Sequence, residues 1–188
     1  IVEQANSSST TRTIADPYVS SITTNKSVYA PGETGTATIV LQNKGNRRTE
    51  NFVLSVNGTQ YSVSWIDPPN GSSTKSRTVS ASFKVPSTAS GTWNLPIKVD
   101  ANDNVLEVNQ SGIGENNNNV TKAITIGYPD LHITTLTTNK TTYAPGETVT
   151  VTTNVQNKGS ISSAASTLTL TYPSGTSGTA TTTRSIPA

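Results

Sequence analysis

Apolar and polar residues alternate with a period of two along most of this chain, the pattern of strands that bury one face. Ala37, Ile39 and Leu41 share one parity, as do Phe52, Leu54 and Val56, then Tyr61, Val63 and Trp65. Val79, Ala81, Phe83 and Val85 follow, then Trp93, Leu95, Ile97 and Val99, and last Val120, Lys122, Ile124 and Ile126. Turn chemistry separates these runs: Tyr29-Ala30-Pro31-Gly32-Glu33, Asn57-Gly58, Asp67–Gly71, Pro86 and Gly91. Proline presets φ, glycine accepts φ > 0, and Asn-Gly closes tight hairpins. Counted with the strand before Tyr29, this predicts seven short strands and an antiparallel two-sheet sandwich, with a barrel as the alternative. Trp65, Phe83 and Trp93 are expected to anchor its core.

The pattern repeats. Ser20–Gly45 and Thr134–Gly159 are identical at 16 of 26 positions at a fixed offset of 114. A period of that size is close to one immunoglobulin-like sandwich, about 100 residues. In the second copy Val149, Val151 and Val155 keep the inward parity, with Thr153 among them, and Leu168 and Leu170 answer Leu54 and Val56. The expected organisation is a leader over 1–15, a first unit over 16–127 and a second over 128–188. The second copy reaches only the counterpart of Trp65-Ile66-Asp67. Half a sandwich leaves backbone groups unpaired and its core open. Further chain, or another segment, is expected to complete it. The fold class is therefore all-β: tandem immunoglobulin-like antiparallel β-sandwiches, the second incomplete in this chain.

Composition supports sheet. Ser and Thr supply 58 of 188 residues, and the charged share is 13%. Thr and Val, branched at Cβ, fit a pleated surface. There is no Cys, which excludes a disulfide framework and zinc–thiolate sites. There is no Met either, so the chain is expected to be the remainder of a longer one. A net charge of +2 gives no strong pull on nucleic acid or anionic membranes. No apolar run approaches the ~20 residues of a membrane helix.

Four features carry a resemblance: Asp130-Leu131 opening a unit, Ala-Pro-Gly-Glu-Thr before the second strand, Gln-Asn-Lys-Gly at its end, and VDANDNVLEVN…ENNNN near the close. The chain resembles the CARDB family, the cell-adhesion-related domain of bacterial and archaeal surface proteins. Val99, Asp100, Asn104, Val105, Glu107, Asn109, Glu115, Asn116 and Asn117 fit that family's ending, with Gln110–Gly114 inserted. The resemblance implies tandem immunoglobulin-like modules that act as spacers or adhesive units.

Candidate chemistry is sparse. Asp100, Asn102, Asp103, Asn104 and Glu107 hold hard oxygens at close spacing and resemble the calcium segment of cadherins. They suit either a Ca²⁺ site or a metal-free turn, because Asp and Asn also bond their own backbone. No other cofactor is required. The single histidine, His132, is expected to point outward between Leu131 and Ile133. No nucleophile–base pair is visible, so no enzymatic activity is expected. Lys44, Arg47 and Arg48 form a small basic loop. Glycosylation sequons start at Asn6, Asn25, Asn57, Asn70, Asn109, Asn119 and Asn139, a number that chance alone gives in so Asn- and Thr-rich a chain.

The expected function is a non-catalytic structural or adhesive protein, extracellular or on the cell surface. Its expected partners are other copies of itself, surface proteins or glycans. One form of this is a filament subunit whose leader, Ile1–Ala15, donates a strand to the open second unit of a neighbour. The alternative is a binding or spacer module of a larger secreted enzyme or receptor.

Overall fold

The computed structural model describes residues 13–71, 73–107, 114–170 and 186–188. Eight strands build the first unit: β1 (Pro17–Thr24), β2 (Val28–Tyr29), β3 (Thr34–Asn43), β4 (Phe52–Val56), β5 (Thr59–Val63), β6 (Ser76–Lys84), β7 (Thr92–Lys98) and β8 (Asn119–Ile126). Two more, β9 (Leu131–Thr138) and β10 (Val151–Asn157), belong to the second. The one helical element among the described residues is a 3-10 turn, Gly114–Asn117.

The first unit is an immunoglobulin-like sandwich. One sheet has the order β1-β3-β6, the other β2-β8-β7-β4-β5. Alternation set the inward faces as expected. Ala37, Ile39 and Leu41 of β3, Phe52, Leu54 and Val56 of β4, and Leu95 and Ile97 of β7 are buried in one cluster. The sheets are antiparallel with one exception. The two-residue β2 runs parallel to β8, Val28 opposite Thr125 and Tyr29 opposite Ile126.

The expected aromatic anchors need correction. Phe83 is buried, with its ring edge-on to buried Tyr29 at 5.4 Å between centroids. Trp93 is only partly buried at the start of β7, its ring 6.1 Å from Phe83. Trp65 follows β5 and is half-buried, with the Arg48 guanidinium 4.0 Å and that of Arg77 5.2 Å from its ring centroid. A large indole is seldom wholly enclosed, and here both lie at the margins. Tyr29, Phe52 and Phe83 fill the centre instead.

The chain enters this unit before β1. The Ile14 amide donates to Asn46 Oδ1, and its carbonyl accepts from the amides of Asn46 and Arg47, both at 3.0 Å. Ala15 joins the core cluster. This crossing explains the glycine that ends Gln-Asn-Lys-Gly: a Cβ on Gly45 would lie 2.2 Å from the Ile14 carbonyl oxygen. At Gly159 it would lie 2.2 Å from the Tyr128 carbonyl oxygen.

β9 and β10 reproduce β1 and β3 residue for residue. Val19 faces Leu41 and Ile22 faces Ile39; Ile133 faces Val155 and Leu136 faces Thr153. Both pairs carry a bulge at the same place, Ser20 and Thr134, whose hydroxyls donate to the carbonyls of Val40 and Asn154 at 3.1 and 3.2 Å. Shared sequence has become shared backbone geometry.

Candidate functional site: the open face of the second unit

In the first unit, β6 pairs along β3 from Thr34↔Lys84 to Gln42↔Ser76. Among the described residues, β10 has a neighbour on one side only, β9. Among the described residues, no strand lies on the side that corresponds to the β6 side of β3. The face is equally uncovered. Ala37, Ile39 and Leu41 are wholly enclosed, whereas Leu131, Ile133 and Leu136 are 38%, 55% and 60% exposed. Val151 and Val155 are half-buried. A groove of about 790 Å³ lies over this surface, lined by Leu131, Ile133, Val155, Leu168, Ile186 and Pro187 among others.

Half-buried Asn157 pins the far wall of this groove, as buried Asn43 holds the matching place in the first unit. Asn43 Oδ1 accepts from the amides of Asp16 and Gly45, both at 2.9 Å, and Nδ2 donates to the carbonyls of Arg47 and Ile66. Asn157 does the same with Asp130, Gly159, Ile161 and Ile186. Thr49 and Ile66 exchange two further bonds, matched by Ser163 and Ile186. Ile186 thus takes the place of Ile66. The second unit keeps its entry strand, its long strand and this closing loop.

Residues 128–188 match the family model CARDB. The second unit is thus similar to CARDB domains. Three solved structures are similar to the chain. One is the crystal structure of the CARDB domain of the PF1109 protein from Pyrococcus furiosus, in complex with di-metal ions: 19% identity, 60% of this chain and 89% of that one, TM-score 0.42. Its solution structure gives 20%, 61%, 97% and 0.42. The third is the 272–376 domain of a candidate cell surface protein from Methanosarcina acetivorans, at 23%, 60%, 92% and 0.45. No curated protein matches the chain.

The oxygen-rich segment of the first unit lies between β7 and the 3-10 turn. Asp100 is buried, and its carboxylate accepts from the amides of Asn104 at 3.1 Å and Val105 at 2.9 Å. Asn102 Oδ1 accepts from the amide of Val53 at 2.9 Å. Asp100 and Asp103 both take left-handed backbone, φ 45° and 54°, which Asp tolerates better than most residues. Asn104 is exposed and Glu107 is buried. Among the described residues no three His, Cys, Asp or Glu side chains gather as a metal group. Asp100 is thus bonded to the loop's own backbone and Asn102 to β4.

Charged side chains elsewhere act as struts. Asp67 accepts from Arg48 Nε at 2.7 Å, from Ser73 Oγ and from the Thr74 amide. The Thr74 amide and Arg48 hold its carboxyl down at a pKa of about 2. Arg47 pairs with Glu50. The basic loop read from the sequence is therefore largely neutralised by its own carboxylates. Lys26 pairs with Glu33, and Lys140 with Glu147 in the second unit. The Lys26 hydrogen bond, with that of the Ala30 amide, lowers the Glu33 pKa. His132 is exposed, its Nε2 3.6 Å from Asp130. No helix among the described residues is long and apolar enough to cross a membrane.

Of the sequons, Asn6 and Asn109 lie outside the described residues. Asn25 and Asn139 sit in the turns after β1 and β9, Asn57 in the β4–β5 turn, Asn70 in the loop before β6 and Asn119 at the start of β8.

Proposed function

We propose that this protein is a non-catalytic structural or adhesive module of an extracellular or cell-surface assembly, and that its copies associate by adding a strand to the open edge of β10. The observation that carries the reading is the uncovered apolar stripe of β9 and β10 beside that edge. In the first unit the β3 counterpart of β10 is wholly enclosed and paired with β6, and Val19 and Ile22, the counterparts of Ile133 and Leu136, are partly buried. An unpaired edge beside exposed apolar side chains is a template for strand addition, in which main-chain hydrogen bonds give affinity and side-chain pockets give register. The CARDB match of the second unit and the Methanosarcina acetivorans domain, from a candidate cell surface protein, support the surface setting.

The proposed donor is the leader of a neighbouring copy. The packing of Ile14 and Ala15 in the first unit leaves residues 1–12, outside the described residues, as the donating stretch. Twelve extended residues reach about 40 Å, enough to cross to another subunit. A head-to-tail contact of this kind does not close on itself and so propagates. The test is sedimentation velocity and negative-stain microscopy on the full chain and on a chain lacking residues 1–12. The full chain should form linear polymers and the shortened one should not. A monomeric full chain, or unchanged polymers from the shortened one, refutes strand donation.

A further inference from the structure

We infer that Asn25 and Asn139 are a matched pair of N-glycosylation sites, one at the same turn of each unit. Four sequons lie wholly within the described residues: those starting at Asn25, Asn57, Asn119 and Asn139. The geometry separates them. At Asn57 the side-chain amide nitrogen donates to the Lys84 carbonyl at 3.3 Å, and the residue holds the positive-φ corner of a tight hairpin. The Asn119 sequon lies in β8, with Asn119, Val120 and Thr121 paired to Lys98, Ile97 and Pro96.

Asn25 and Asn139 differ from both. Each is exposed, and each sequon lies in a turn outside the strands. Each side chain is held through its oxygen alone. Asn25 Oδ1 accepts from Tyr29 Oη at 2.8 Å and from the Thr36 amide at 2.7 Å. Asn139 Oδ1 accepts from Tyr143 Oη at 2.7 Å and from the Thr150 amide at 2.9 Å. The locks engage the oxygen and leave Nδ2, the atom that carries a glycan, outside these bonds on an exposed residue. Attachment keeps the amide carbonyl, so a glycosylated Asn makes both bonds unchanged. The third sequon residues, Ser27 and Thr141, are exposed as well.

The reaction is a glycosyl transfer from a lipid-phosphate-linked saccharide, catalysed by a transferase of the cell envelope. A bond forms between Nδ2 and the anomeric carbon. The bond from that carbon to the phosphate oxygen breaks, the electron pair leaves with the lipid phosphate, and one Nδ2 proton passes to a base of the transferase. Nothing is oxidised or reduced. In the first unit the sugar would stand beside β2, at the end where β8 leads the chain toward the second unit.

The test uses protein purified from its native cells. Proteolysis and mass spectrometry should find saccharide on Asn25 and on Asn139. Ser27→Ala and Thr141→Ala keep the Asn locks intact and destroy the sequons. Each should remove one glycan's mass and leave the melting temperature of the deglycosylated chain unchanged. An unmodified Asn25 or Asn139 in the native protein, or saccharide found on Asn57, overturns the assignment.

Discussion

Asn157 donates its side-chain amide to the carbonyl of Ile186 at 3.2 Å, as Asn43 donates to Ile66 at the same distance in the first unit. The separation along the chain is 29 residues in one case and 23 in the other. The two amides therefore hold equivalent isoleucine carbonyls despite six extra intervening residues. Beyond that point the two units part: the first unit goes on through β6, β7 and β8, while β10 keeps an open edge among the described residues.

Asn43→Ala is predicted to strand the Asp16 and Gly45 amides and the Arg47 carbonyl in a site 3% exposed, while the Ile66 carbonyl keeps the Thr49 amide. Each unsatisfied buried group costs roughly 1–3 kcal/mol, and partial hydration will recover some of it, so a loss of about 3 kcal/mol is expected. Chemical denaturation of the first unit reads it. A change below about 1 kcal/mol would mean that the hub is replaceable by water.

Core truncations should rank by enclosure rather than by side-chain size. Leu41→Ala, at a fully buried position of β3, should cost about 2–5 kcal/mol. Trp93→Ala, at a partly buried margin, should cost less than Leu41→Ala. Urea midpoints of the two variants compare them directly, and the reverse order would place the indole at the centre of the core.

The Asp67 strut gives a pH signature. Its folded pKa, about 2, lies below the ordinary carboxylate value near 3.9. A depressed pKa contributes stability that is present above the unfolded value and is lost as pH falls through the folded one. The melting temperature should therefore drop between about pH 4 and pH 2, and Asp67→Asn should flatten that part of the curve. Identical slopes for both proteins would remove the strut from the account.

Calcium should leave thermal stability unchanged. A ligand that binds the native state raises stability by mass action, but the oxygens of Asp100 and Asn102 already accept backbone amides. Melting curves at rising CaCl₂ concentration check this. A midpoint that climbs with the logarithm of calcium would establish a site there.

Strand parity was legible in the sequence because burial on one face imposes a period of two, and Ala37, Ile39, Leu41, Leu54 and Leu95 all obeyed it. The roles of Trp65 and Trp93 were not. Alternation gives the face a residue points to, but not how far it lies from the sheet's margin. The two-residue β2 escaped because so short a strand has no period. The amide hubs of buried Asn43 and half-buried Asn157 escaped because their partners are backbone groups, brought near only by the fold. In the oxygen-rich segment, sequence alone could not choose between metal and turn; the bonds of Asp100 and Asn102 favour the turn.

Strand addition at β10 is the claim on which the functional account rests, and amide hydrogen exchange reads it most directly. The full chain is compared at high concentration and after dilution below the association range. The account predicts that amides of Val151–Asn157 are slowed in the concentrated sample and released on dilution, while those of β3, already paired with β6, stay slow in both. Exchange of Val151–Asn157 that is equally fast at both concentrations, in a sample shown by sedimentation to be polymeric, would contradict it.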